Sequence, residues 1–222
     1  MKTNILKTVI TVTLLITMII SCKKNEETPI TTPTPTSGSS YVINTLAGTG
    51  TKGFSGDSAA AINATLNTPN CVALDAAGNV YFTDQSNHKV RKITVSTGII
   101  NTIGSGYYPE GVCVNAKGDV FVANKDGNSI FVITDSSGIR IQKTLRKGDK
   151  YFGPLGVGVD ASDNVYYTDG KYYNEGNYVA KLVASTGAVS ILTGVTSGFS
   201  GDGGPAINAT LNGPSGIFVA SN

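Results

Sequence analysis

The stretch GFSGDSAAAINATLNTP, Gly53 to Pro69, returns as GFSGDGGPAINATLNGP, Gly198 to Pro214. Self-similarity this long, at a fixed offset, marks a repeat architecture. Between the two copies lie three shorter units, each opening on a proline and running through the same order of signals. They read PNCVALDAAGNVYFTD from Pro69, PEGVCVNAKGDVFVAN from Pro109 and PLGVGVDASDNVYYTD from Pro154. A fourth, PSGIFVASN from Pro214, holds only the first of those signals. The prolines recur at roughly 40 to 60 residues, the length of one four-stranded sheet per unit.

Within the units apolar and polar residues alternate with period two, and clusters of Gly, Asp, Asn and Ser interrupt them, which predicts short strands and tight turns. The first unit gives strands CVALD, NVYFTD, HKVRKITV and IINTIG. The second gives VCVN, VFVAN, SIFVIT and IRIQKTL, and the third VGVD, VYYTD, YVAKLV and AVSILTG. No stretch keeps a helical period, and Ala59 to Leu66 has room for a helical turn or two at most.

A proline, a hydrophobic strand ending in Asp, a Gly-Asn turn, VYFTD, and then Asn87-His88 before a third strand form a pattern that resembles the NHL-repeat β-propellers. The family's Asn-His-Leu triplet reads Asn87-His88-Lys89 in the first unit, Gly127-Asn128-Ser129 in the second and Gly176-Asn177-Tyr178 in the third. The resemblance runs from about Tyr41 to the end and implies an all-β propeller of four-stranded blades. It implies no single activity, because one fold hosts many. The absence of tryptophan argues against propellers built on a Trp-Asp pair.

Propellers close with about four to eight blades, and this sequence holds about three. Tyr41 to Gly48, YVINTLAG, aligns with AVSILTG at Ala188 to Gly194 and is expected to be a fourth strand without its own first three. Because the long insertion precedes only the first and fourth units, the larger repeat is three blades, and two of them make six. The expected fold is therefore a partial ring of NHL type. It is either a truncated sequence or an open arc that self-associates, two copies completing each other.

The N-terminus follows different rules. Lys2 and Lys7 precede an apolar run from Val9 to Ile20, too short for a good membrane span and ending in Ile19-Ile20-Ser21-Cys22. Those four residues resemble a bacterial lipobox, which implies a signal peptide over residues 1–21 and lipid (palmitate-type acylation) on Cys22. KKNEETPITTPTPTSGSS then reads as an extended tether completing residues 22–40, since its composition buries too little surface to offset chain entropy. Lys23 after the cysteine, and the KKNEE run, resemble lipoproteins sent to the outer membrane or cell surface; a generic solvated tether explains KKNEE equally. The propeller occupies residues 41–222.

Charge excludes one class of partner. Of 17 basic and 15 acidic residues, Lys2 and Lys7 leave with the signal, so the mature chain is neutral. Neutrality plus export argues against nucleic acid. The basic run Arg140, Lys143, Arg146, Lys147 and Lys150 falls on an outermost strand and its following loop, where charge guards a solvated edge. Cys71 and Cys113 sit near the starts of inner strands but differ in register by two positions, so they read as two buried small residues rather than a disulfide.

In a propeller blade the loop after the second strand and the connection to the next blade open on one face. Asp84 to His88, Asn124 to Asn128 and Asp169 to Asn177 therefore share a rim with both insertions. Candidate binding residues on that rim are Phe54, Asp57, Asp84, Asn87, His88, Phe199 and Asp202. Alternatively, GFSGDGGP is a turn whose Phe packs down and whose Asp binds its own backbone. Catalysis has little in the pattern: His88 is the sole histidine, and no nucleophile elbow or zinc motif is present. Some related six-bladed propellers are calcium-dependent hydrolases or lyases, and oxygen ligands would come from Asp75, Asn115 and Asp160 or from Asp84, Asn124 and Asp169. The expectation is a lipid-anchored extracytoplasmic module that binds a protein or glycan at the cell surface, without a cofactor. The alternative is a hydrolase or lyase using calcium.

Overall fold

Every inner strand starts at a proline, whose missing amide cannot join a ladder, and each such start carries a register shift. The shifts fall between Pro69 and Val72, Pro109 and Val112, and Pro154 and Val157. The computed structural model describes residues 42–136, 139–148, 150–170, 176–194 and 196–220. From Asn44 onward they form one compact unit of three four-stranded antiparallel sheets, the blades of a propeller arrangement. Residues 1–41, with the expected signal peptide, Cys22 and most of the tether, lie outside the described residues. Among the described residues no helix is long and apolar enough to cross a membrane.

Strand β1 (Ala59–Ala60) is a two-residue addition on the outer edge of blade 1. That blade runs β2 (Pro69–Leu74), β3 (Val80–Asp84), β4 (Lys89–Thr94) and β5 (Ile99–Ser105). Blade 2 is β6 (Pro109–Val114), β7 (Val120–Asn124), β8 (Ser129–Ser136) and β9 (Ile139–Lys147). Blade 3 is β10 (Pro154–Val159), β11 (Val165–Asp169), β12 (Tyr178–Leu182) and β13 (Val189–Thr193). Each blade pairs consecutive strands, as the alternation requires.

Alternate residues face opposite neighbours, so the core lies between sheets rather than inside one. Tyr81, Val90 and Ile103 of blade 1 meet Val112, Val120, Val122, Phe131 and Ile133 of blade 2. Phe121, Ala123, Ile130 and Val132 turn the other way, toward Val157, Val165, Tyr167, Ala180 and Leu182 of blade 3. On the far face of blade 1, Val80, Phe82, Ile93 and Ile100 are covered by Ala61 and Ala64 of the first insertion, with Ala47 and Leu66 beside them. The insertion thus covers, on blade 1, the face that in blade 2 packs against its neighbouring blade.

Threonine ties blades together. Thr83 Oγ1 accepts the Cys71 amide at the bulge (3.1 Å) and donates to the Glu110 carbonyl of the next inner strand (2.9 Å). Thr168 repeats this with the Gly156 amide (2.8 Å) and the Ser215 carbonyl (2.9 Å). Blade 2 has Ala123 there and lacks the tie. Gly111 and Gly156 are required because a β-carbon would meet the carbonyl oxygens of Leu155 and Ser215 at 2.6 and 2.3 Å.

Two details depart from the sequence reading, at Val42 to Leu46 and at Arg146, and a third, at Ala59 to Leu66, agrees with it. Residues Val42 to Leu46 form no strand, because no described strand lies alongside to pair with them; Gly48 and Thr49 give their amides to Ala61 and Ala64 instead. The Ala59 to Leu66 segment holds a single 3-10 turn, Ala61–Asn63, after β1. Arg146 leaves its basic run: it turns onto the Phe152 ring at 4.8 Å and Tyr167 at 5.9 Å, while the rest of β9 stays largely exposed. Cys71 and Cys113 are free and half-buried. Burial, with Cys71 beside it, pushes the Cys113 thiol up to about 12.

Candidate binding rim

The first insertion is fastened to blade 1 by one guanidinium. Arg91, at the centre of β4 and opposite Phe82, is fully buried. Its NH1 donates to Asp84 Oδ2 (3.2 Å), and its NH2 to the Ser55 carbonyl and to Asp57 Oδ1 (each 3.0 Å). The Phe54 ring covers the guanidinium at 5.1 Å, with Lys89 Nζ at 5.8 Å. A buried ion is tolerated when paired and hydrogen-bonded, and every contact here comes from the insertion or from Asp84.

Asp84 is buried too, at the end of β3. It also accepts the Asn67 amide (2.7 Å) and Asn87 Nδ2 (2.9 Å), and Asn87 Nδ2 donates as well to the Gly53 carbonyl (2.7 Å). Asp57 Oδ1 further accepts the Thr102 amide (2.8 Å) and hydroxyl (3.1 Å) of β5. Phe54, Asp57, Asp84 and Asn87 are thus one cluster centred on Arg91, a residue that the sequence reading left inside a strand without a role. The signal was present: a lone arginine in the apolar alternation of HKVRKITV, facing a strand that ends in Asp.

His88 closes the loop after β3 in the left-handed region (φ 58°). Its Nδ1 accepts the Tyr108 amide (3.3 Å), and its ring lies parallel to Tyr107 at 5.1 Å between centroids. Asn177 performs the same task in blade 3, its Oδ1 accepting the Gly213 amide (2.7 Å). Tyr107 is 64% exposed and Phe54 49%. Lys89 lies over Phe54 and His88 is stacked on Tyr107, so the rim carries two aromatic rings that are each about half exposed or more. Tyr107 was not among the residues expected.

Phe199 and Asp202 sit in the second insertion, both exposed, Phe199 at 88%. Among the described residues no arginine lies in contact with either one. They are on the same kind of connection as Phe54 and Asp57 but are not part of the Arg91 cluster.

The concave inner side of the three blades forms a groove of about 760 Å³, lined by β2, β6, β10 and the Ser215–Val219 segment. At its rim end Glu110 takes Lys125 on one carboxylate oxygen (3.2 Å) and Asn70 on the other. Glu110 follows Pro109 directly, a place that in every unit looks into the groove; that register was the available clue.

The expected oxygen ligands serve the backbone. Asp75 Oδ1 caps the Ala77 and Asn79 amides of its own hairpin, and Oδ2 accepts Asn79 Nδ2 and the Tyr81 hydroxyl; Asp160 repeats this with Ser162, Asn164 and Tyr166. Partial burial pushes both carboxyls up, but these hydrogen bonds outweigh it and hold them below the ordinary 3.8. Asn115 bridges blades, donating to Asp119 and to Asp163 of blade 3, where Lys117 also pairs. Asn124 Nδ2 donates to Ser129 Oγ (2.9 Å), and Asp169 accepts the Gly153 amide (3.1 Å). Burial, with the Asp169 charge beside it, pushes the Tyr178 phenol up. Among the described residues no three His, Cys, Asp or Glu side chains gather closely enough to hold a cation.

Comparison with known proteins agrees on the architecture. The NHL repeat family matches residues 107–133, the run from Tyr107 through most of β8. No curated protein matches. Solved structures of similar fold include a protein of unknown function from Bacteroides thetaiotaomicron VPI-5482, 22% identical, with a TM-score of 0.54 over 70% of this chain and 43% of its own. A streptogramin B lyase is 17% identical, with a TM-score of 0.52 over 72% and 47%. A chain of a nidogen/laminin complex is 16% identical, with a TM-score of 0.52 over 70% and 53%. The chain spans about half the length of these proteins. At such identities the likeness is one of fold.

Proposed function

We propose that this protein is a lipid-anchored extracytoplasmic propeller that binds a protein or glycan at the cell surface through the rim carrying the insertions. The observation that supports it is the pair of exposed aromatic faces, Phe54 and the Tyr107 ring stacked on His88, held on a rigid sheet edge by buried bonds. Exposed rings with fixed orientation bind sugar faces or side chains at little cost in conformational entropy. The named carboxylates of blades 1 and 3 are engaged in caps and ion pairs, an arrangement suited to holding loops. The anchor reading rests on the lipobox-like Ile19-Ile20-Ser21-Cys22 and the polar tether behind it.

Two measurements test this reading. Cys22→Ala should abolish incorporation of a labelled fatty acid, and label persisting in the variant overturns the anchor. Tyr107→Ala should lower binding of the purified chain to intact cells or arrayed glycans about tenfold or more, since a well-packed aromatic contact contributes about 2 kcal/mol. Unchanged binding in a variant of unchanged melting temperature overturns the rim reading.

A further inference from the structure

Three corners of the rim share a left-handed residue. Before Pro69, Pro109 and Pro214 stand Thr68, Tyr108 and Gly213, at φ 56°, 62° and 62°. In the first two the surrounding bonds match as well. The Thr68 and Asn67 carbonyls accept the Gln85 (3.2 Å) and Ser86 (3.1 Å) amides, and the Tyr108 and Tyr107 carbonyls accept those of Lys125 (3.2 Å) and Gly127 (3.1 Å). The Tyr108 amide goes to His88 Nδ1, and the Gly213 amide to Asn177 Oδ1. The corner therefore requires this conformation whichever residue fills it. Glycine meets the requirement freely, whereas a tyrosine ahead of a proline is strained there.

What the tyrosine adds is its ring. Tyr108 lies tilted against His88 at 5.9 Å between centroids, and Tyr107 lies parallel to the same imidazole at 5.1 Å, so two consecutive side chains border one histidine. Thr68 uses its side chain differently, taking the Ser86 hydroxyl on Oγ1 (3.0 Å). Two places before the next proline, Phe152 is buried with its ring edge-on to Tyr167, yet Tyr107 at the same place is open to solvent. One face of Tyr107 rests on His88, so the exposure belongs to the other. The loops that meet at this corner read QSNH from Gln85, SGYY from Ser105 and KDGN from Lys125, with no aliphatic side chain among them.

We propose that the open face of Tyr107 is the stacking platform for one hexopyranose unit of a glycan, and that Tyr108 is a positioning residue whose strained backbone is kept because its ring and amide hold His88 against that platform. An aromatic anchor for a protein partner works in a desolvated, well-packed pocket. Here a flat ring stands among hydroxyl, amide and charged groups. That setting matches a pyranose, which offers C–H bonds on one face and hydroxyls around its edge. The inference rests on the rim-binding reading and chooses glycan over protein.

The test probes the full chain with immobilised oligosaccharides of hexoses and N-acetylhexosamines, and reads the bound sugar by saturation-transfer NMR. Binding should saturate, and transfer should favour the C–H bonds of one sugar face. Tyr108→Gly should weaken binding about fivefold, since a platform side chain loses its fixed position, while melting within about 4 °C of the parent. Tyr108→Ala, which loses the ring but keeps the strain, should bind as weakly and melt below the glycine variant. Full binding by Tyr108→Gly, or a glycine variant that melts below the alanine variant, overturns the role of Tyr108. Binding to intact cells that depends on Tyr107, together with binding to none of the sugars, overturns the choice of glycan and leaves the rim reading standing. Cell binding indifferent to Tyr107→Ala removes the rim reading itself, so the two failures are separate results.

Discussion

Blades 1 and 2 share a strand order and the register of their first two strands, yet treat the end of the second strand oppositely. In blade 1 the position is Asp84, with Arg91, Asn87 and the Asn67 amide turned onto it, and a loop of the preceding connection is drawn over the arginine. In blade 2 it is Asn124, whose amide needs one serine hydroxyl, and the places of Asn87 and Arg91 are taken by Gly127 and Phe131. Blade 3 returns to a carboxylate, Asp169, and an arginine returns with it: Arg146 of β9 lines the same recess. In blade 1 the buried carboxylate is paired with a cation, and that cation also holds the loop above it.

The largest expected effect comes from removing that cation. Arg91→Met strands Asp84 and releases Asp57 and the Ser55 carbonyl, so it should cost about 3–5 kcal/mol of unfolding free energy in urea. Adding Asp84→Asn, which gives blade 1 the polarity of blade 2, should recover about 2–3 kcal/mol as coupling between the two sites. A double variant no more stable than Arg91→Met would mean that the contrast between the blades is not one of charge.

A smaller effect separates the two insertions. Asp57→Asn weakens contacts to Arg91 and to the Thr102 amide and hydroxyl, and should cost about 1–2 kcal/mol. Asp202→Asn touches none of these counterparts and should stay within about 0.5 kcal/mol. Equal losses in thermal melts would show that the second copy is fastened as the first is.

How legible was this from sequence? The blades were, because proline starts, period-two alternation and Gly-Asn turns are local signals, and each of the three units supplied its four strands. The rim was legible as a set of positions, since the propeller pattern alone sends the β3–β4 loop and the insertions to one side. What joins them was not. Arg91 lies 34 residues from Asp57 along the chain, and nothing local says that an arginine in a strand will turn inward. Tyr107 was hidden for a similar reason: its partner, His88, belongs to the previous blade. The expected strand at Tyr41 to Gly48 failed on the described part of its length because alignment transfers a pattern but not the neighbouring strand that makes it pair.

The smallest expected effect concerns His88, and it asks whether blades 1 and 3 are joined to their successors by the same bond. If the histidine is there as a hydrogen-bond acceptor in a left-handed corner, asparagine should replace it, since asparagine tolerates that backbone and Asn177 already accepts the Gly213 amide. His88→Asn should therefore shift stability by less than about 0.5 kcal/mol, whereas His88→Ala, which leaves the Tyr108 amide without its acceptor, should cost about 1 kcal/mol. Both substitutions remove the ring beneath Tyr107. Binding through the stacked pair should then fall in both variants while stability falls in only one. If His88→Asn keeps full binding, Tyr107 works without its platform; if it is as unstable as His88→Ala, the acceptor shared by the two blades is not what the histidine provides.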